Sequence, residues 1–257
     1  MSVATAAYGI VVRDLSRAMR QKSRMLGGIA RPFMWLLLVG SGYNAIARID
    51  GAASYQAFVF PGVVVMAMFF GAMLTAISTV YDREFGILRL MLAGPSGIPA
   101  MLVGRIIAAS AIGLLQGMAI LIFIPFFISV SASQVLAAVL ALMVGALASS
   151  SLGLAVAAPL RSVENFAGII NVVLFPLLFL SGALYPTSRM APPLRVLALV
   201  NPVSYSVDLM RAALDLPAEF SATRSMLVLV GTTVAAFLLT MIVFDPEQRF
   251  RGKAAAR

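Results

Sequence analysis

The sequence predicts an all-α membrane protein: six transmembrane helices, with an N-terminal interfacial amphipathic helix before them and short re-entrant outer helices before the last span. Three observations predict it. Of the 257 residues, 61% are hydrophobic and only 11% are charged, where a soluble globular domain carries about 25% charged residues. Mean hydropathy is +0.99. Six charge-poor runs approach the length of about 20 residues that crosses a hydrocarbon core. Cys and His are absent, which removes disulfides, thiolate chemistry, haem, His-ligated metals and His-dependent triads. The net charge of +9 fits loops facing anionic headgroups before it fits nucleic acid, and no nucleic-acid partner is expected.

Taken in order, segment 1–25 comes first. Tyr8, Val12, Leu15 and Met19 form one helical stripe, and Arg13, Arg17, Arg20 and Arg24 form another opposite it. This is the pattern of a helix lying on a leaflet; a plain positive-inside anchor is the simpler alternative. The spans are 26–47, 57–80, 101–125, 135–158, 165–184 and 225–244. The third and fourth divide a charge-free stretch of 106–160 at Pro125 and the polar cluster Ser129, Ser131, Ser133 and Gln134. Fourteen of the nineteen Lys and Arg then fall on one side: Arg13, Arg17, Arg20, Lys22, Arg24, Arg31, Arg83, Arg89, Arg105, Arg161, Arg249, Arg251, Lys253 and Arg257. The other side keeps Arg48, Arg189, Arg195, Arg211 and Arg224. Both termini are therefore expected in the cytoplasm. A charged stretch precedes the first apolar run and no small-x-small site closes it, so a cleaved signal peptide is not expected.

Two connecting segments stand out. The loop 81–99 sets Asp82, Arg83, Glu84 and Arg89 among Phe85, Ile87, Leu88, Leu90 and Met91, and stops at Gly94-Pro95. A short two-faced helix with a sharp stop suits docking into a groove of another protein; a membrane-surface turn is an equal alternative. The segment 185–224 is too apolar for a free loop. Pro192-Pro193 and Pro202 start two helices in it that are too short to span. They read as a re-entrant pair over a pathway or as an interfacial hairpin.

Span interiors hold neutral polar groups: Tyr43, Asn44, Thr75, Ser78, Gln116, Asn171, Thr232 and Thr233. Bonds to neighbouring helices are their expected use. Pro176 interrupts the fifth span, where it could kink the helix or simply be tolerated. Gly113 and Gly117, and the ladder Gly145, Ser149, Gly153 and Ala157, permit close helix contact, within or between chains. No carboxylate is expected inside a span, and Arg31 and Arg105 are expected to snorkel from span ends. An ion-coupled carrier is the alternative reading, disfavoured because such carriers place acids or His within spans. A membrane enzyme of lipid metabolism has few candidate groups. The only lysines, Lys22 and Lys253, lie in no G-x-x-x-x-G-K-S/T loop, so any nucleotide hydrolysis belongs to another chain.

The segments 60–105 and 175–211 resemble permease subunits of type-2 ATP-binding-cassette exporters, the group holding drug-resistance, nodulation-factor and polysaccharide export permeases. The likeness spans the whole chain, 1–257, as one transmembrane domain. Its most specific residues are Asp82, Arg83, Glu84, Gly86 and Pro95, then Ser181, Gly182, Tyr185, Pro186, Pro192, Asn201, Pro202, Tyr205, Asp208 and Arg211. The resemblance implies a coupling helix of Asp82, Arg83, Glu84, Phe85, Gly86, Leu88 and Arg89 against a separate ATP-binding subunit. Tyr185, Pro186, Asn201, Pro202, Tyr205, Asp208 and Arg211 would form an outer gate, and Tyr43, Phe58, Asn171, Phe175 and Phe179 would line the cavity. It also implies two permease copies as a homodimer with two ATPases in a bacterial inner membrane, moving a hydrophobic or amphipathic molecule outward. No cofactor or metal is expected on this chain, ATP and Mg being held by the partner.

Overall fold

The structure, a computed structural model, describes residues 3–44, 54–92 and 97–244. Every regular element among them is helical. Helix α1, Val3–Arg20, lies against the later helix α7 through Ala7, Ile10 and Asp14, and leaves Tyr8, Val12 and Met19 exposed. A single non-helical residue, Gln21 at φ −89° and ψ 61°, separates it from α2, Lys22–Met34. Pro32 lies inside α2. Because proline cannot donate to the preceding turn, the ladder is disturbed there. The chain continues through a π-turn, Trp35–Val39, into α3, Gly40–Asn44.

Helix α4, Tyr55–Thr75, starts where the Ser54 hydroxyl accepts from the Ala57 amide at 3.1 Å. It is apolar all round and buried along nearly its whole length, as a helix enclosed by others must be. It packs on α2, α7, α8 and α11. After a slight offset at Ala76 it runs on as α5, Ile77–Glu84, so Tyr55–Glu84 forms one 30-residue apolar rod. Helix α6, Ile87–Leu92, turns away. Helix α7, Gly97–Leu121, extends through a 3-10 turn, Ile124–Phe126. Ser131 and Gln134 then form a capping box that opens α8, Ala132–Ala157, which is the polar break the sequence placed there. Ser162 and Ser221 cap α9, Val163–Phe179, and α12, Ala222–Val243. Between those two lie a 3-10 turn, Thr187–Arg189, and the prolyl-started helices α10, Pro192–Val200, and α11, Pro202–Ala213.

Among the described residues, five helices are long and apolar enough to cross a membrane: Lys22–Tyr43, Tyr55–Glu84, Gly97–Phe126, Ala132–Ala157 and Ala222–Val243. The expected fifth span, 165–184, is a 17-residue helix that ends at Phe179. Residues 180–184 unwind because Gly182 turns the chain at φ +76°, a conformation costly for any residue with a Cβ.

Three expectations on polar groups need correction. Arg105 does not snorkel. It is 3% exposed and paired inside the protein. The long rod Tyr55–Glu84 does contain a buried acid, Asp82. The hydroxyls of Thr75, Ser78 and Thr233 bond carbonyls of their own helix, Gly71, Thr75 and Leu229, and not those of neighbouring helices. The small-residue positions make contacts within the chain: Gly113 on Met68 and Ala72, Gly145 on Met68 and Ser206, Gly153 on Met73. The Gly94-Pro95 stop, residues 45–47, Arg48, the C-terminal cations from Arg249 onward and the side chains of Asn44 and Arg89 lie outside what is described.

Candidate functional site

Successive residues of a helix point about 100° apart, so three in a row reach three neighbours. Asp82, Arg83 and Glu84, in the last turn of α5, do this. Asp82 is 0% exposed. Its Oδ2 accepts from Arg105 at 2.5 Å and from Arg13 at 2.6 Å, and its Oδ1 accepts from Arg17 at 3.1 Å. Arg105 also donates to Thr79 Oγ1 at 3.1 Å, and Asp14 holds Arg13 at 2.8 Å. Burial disfavours the charge of Arg13, but Asp14 and Asp82 outweigh it and raise its pKa above the ordinary arginine value. One carboxylate thus binds α1 and α7 to α5.

Arg83 points the other way. Its guanidinium donates to the carbonyls of Ala158 at 2.5 Å and Leu160 at 2.7 Å, beyond the end of α8, and stands 5.0 Å from the Phe244 ring. Glu84 accepts from the Val163 amide at 3.0 Å, on the first turn of α9, where an anion suits the helix dipole. The charged trio of the expected coupling helix therefore fastens five helices together from within. Past it, Gly86 at φ +77° reverses the chain into α6. Leu88 is buried, whereas Phe85 is 69% and Leu90 78% exposed, with Ile87 beside them. The elbow 85–90 thus presents apolar side chains outward from an ion-paired base.

At the opposite end of α4 a second polar knot joins α9, α11 and the loop 215–220. Asn201 caps α11 by accepting from the Val203 amide at 3.0 Å, and donates to the Leu177 carbonyl at 2.6 Å. Pro202 supplies the first helical position. Tyr205 donates to the Leu199 carbonyl at 2.7 Å and stacks on Phe220 at 4.7 Å. Asp208 accepts from the amides of Glu219 and Phe220 at 3.1 and 2.9 Å and faces Arg211 at 3.6 Å. Arg211 donates to the Gly182 carbonyl at 2.8 Å and lies 4.3 Å over the ring of Phe58. Of the seven residues expected as an outer gate, five meet here. Tyr185 is exposed and Pro186 half-buried at the edge. Glu219 was not singled out from the sequence. It accepts from Thr187 and, at 3.1 Å, from the Ser188 amide, and its only prior signal is its place in the apolar 185–224 segment.

Between the two ends an apolar cleft of about 310 Å³ opens, lined by Trp35, Met66, Phe70, Phe175, Leu178 and Phe179, with Arg31 at its margin. Trp35 meets Phe179 edge-on at 6.0 Å. Among the expected cavity residues only Phe175 and Phe179 line it. Phe58 is under Arg211, Tyr43 lies against Tyr55 at 5.6 Å, and Asn171 is exposed on α9. Trp35, Met66 and Phe70 were missed, because an apolar residue facing a cleft and one facing lipid look alike in sequence.

Residues 5–214 match the family model described as ABC-2 type transporter. Relatives include the transport permease ycf38 of Cyanophora paradoxa, 28% identical over 93% of this chain and 84% of the relative. The ycf38 permease of Porphyra purpurea is 30% identical over 77% and 70%. Nodulation protein J of Rhizobium leguminosarum bv. trifolii is 28% identical over 73% and 72%.

Proposed function

The chain belongs to the ABC-2 type transporter family, and on that premise we propose that it is the permease subunit of an ATP-driven exporter whose energy comes from a separate ATP-binding subunit. As a multi-pass, non-catalytic transport permease it needs such a driver. The observation that carries the reading is the elbow 85–90, apolar outside and braced inside by Asp82, Arg83 and Glu84. A docking surface must be sticky outward and stiff inward, so that a push on Phe85 and Leu90 moves α5 and the helices it grips. Two ATP-binding subunits would bind one elbow each on a homodimer of permeases, with ATP and Mg held in those subunits.

On this reading α9 is the sixth crossing, completed by its unwound end, and α10 and α11 are the re-entrant outer helices. The termini and the elbow face the cytoplasm, in keeping with the excess of Lys and Arg at that end, and the membrane is the bacterial inner membrane. The knot of Asn201, Tyr205, Asp208 and Arg211 would hold the outer gate shut. The cargo is hydrophobic or amphipathic, since the aromatic cleft offers apolar side chains with one cation at its margin.

The test is ATP hydrolysis by the permease purified with the ATP-binding protein encoded beside it. Arg83→Glu or Glu84→Lys should lower hydrolysis about tenfold, because each charge-assisted bond to the helix ends is worth about 1.5–3 kcal/mol of bracing. Full hydrolysis in an assembled complex carrying either reversal would remove the elbow from the coupling route.

A further inference from the structure

Where α1 bends into α2, a pocket opens beside Arg17, Gln21, Arg24, Thr75, Ser78 and Gln116. We propose that it holds the phosphate group of an anionic glycerophospholipid, seated between Arg17 and Arg24, with an ester carbonyl of the same lipid at Gln116.

Charge is the first reason. Among the described residues, Arg13, Arg17, Arg24 and Arg105 converge on this end, and their carboxylate partners are Asp14 and Asp82. Arg17 shares Asp82 with two other arginines, and Arg24 has no carboxylate partner among the described residues. Arg24 is held by neutral oxygens alone, the Leu74 carbonyl and, at 3.2 Å, Gln21 Oε1. Two positive charges are left over where the wall is partly apolar, and a buried or half-buried cation without a counter-ion is costly. A phosphate oxygen pair supplies the missing charge, and arginine's planar fork matches it.

The second reason is Gln116. It is 4% exposed, and its amide is bonded at one end only, to Met25 Sδ at 3.7 Å. Its Oε1 has no partner. That free end packs against Gly28 and Gly71, where any Cβ would stand within 2.7 Å of it, so the two glycines make room for the amide itself in the pocket wall. An amide can be turned over to present N–H there. Along α4 the Leu74 carbonyl that anchors Arg24 and the Gly71 beside Gln116 are three residues apart, about 4.5 Å. That is one short step deeper into the membrane, where a phospholipid carries its ester carbonyls below its phosphate. The pocket volume of about 40 Å³ admits about three water-sized groups, enough for phosphate oxygens with the rest of the lipid outside.

The full chain purified in detergent and analysed by native mass spectrometry tests this. Phosphatidylglycerol should be retained about tenfold better than phosphatidylcholine, and Arg24→Gln should erase the preference while Arg24→Lys keeps part of it. Gln116→Leu should lower retention of both lipids without altering assembly. Phosphatidylglycerol that stays bound in millimolar inorganic phosphate supports the lipid source. Thermal stabilisation by inorganic phosphate without lipid, lost in Arg24→Gln, would assign the same chemistry to a soluble phosphate and overturn the lipid. Equal retention of phosphatidylglycerol by the parent and Arg24→Gln overturns the site; if Arg24→Gln does not fold, unchanged retention in Gln116→Leu does so.

Discussion

Asp82→Asn should destabilise the protein by about 3–5 kcal/mol, the cost of leaving buried partner charges uncompensated. Asp82 is the shared acceptor of Arg13, Arg17 and Arg105, and Arg105 has almost no access to water. Asparagine keeps the shape of the side chain but removes the charge, so Arg105 would be left facing Asp14 at 4.0 Å as its nearest acid. The measurement is the midpoint of thermal aggregation of the purified permease. Adding Arg105→Gln to Asp82→Asn should recover much of the loss, because the orphaned cation is then gone; a double variant no better than the sum of the singles would contradict the pairing. Arg13→Gln alone should cost far less, since Arg13 is over a third exposed.

Arg211→Met is expected to have the next largest effect, about 3 kcal/mol. Methionine fills a similar volume against Phe58 but ends the hydrogen bond to Gly182 and leaves Asp208 facing no cation. Asp208 keeps its two amide donors, Glu219 and Phe220, which makes this loss smaller than that at Asp82. Arg211→Lys should recover only part, because an ammonium does not reach the carbonyl and lie over the ring together. Limited proteolysis of the 185–220 segment reads the change: faster cleavage in Arg211→Met than in the parent is expected, and equal rates would show that the knot does not hold the segment.

The helices were legible in this sequence because lipid imposes length and apolarity on any run that crosses it. Pro125 and the Ser131 box, and the prolines at 192 and 202, also marked their breaks correctly. What the sequence concealed was the direction of side chains. Asp82, Arg83 and Glu84 read as surface charges in a loop, yet α5 carries them on as its last turn and spends each on a different neighbour. No local pattern reveals that, since Arg13 and Arg105 lie far away in the chain. Arg105 looked able to reach water, and only the packing of α1 over α7 shows why it does not. Likewise the end of α9 at Phe179 depends on a positive φ at Gly182, whereas hydropathy alone runs on to Leu184.

We propose that a separate ATP-binding subunit drives this permease through its elbow. Phe85→Asp separates docking from bracing, because Phe85 is exposed, stacks on Tyr81 at 5.9 Å, and is not a member of the ion pairs at Asp82. In the complex purified with its neighbouring ATP-binding protein, the expected result is a permease of unchanged thermal stability that no longer retains the ATP-binding subunit and shows no permease-dependent ATP hydrolysis. A Phe85→Asp complex that assembles and hydrolyses ATP like the parent would contradict it.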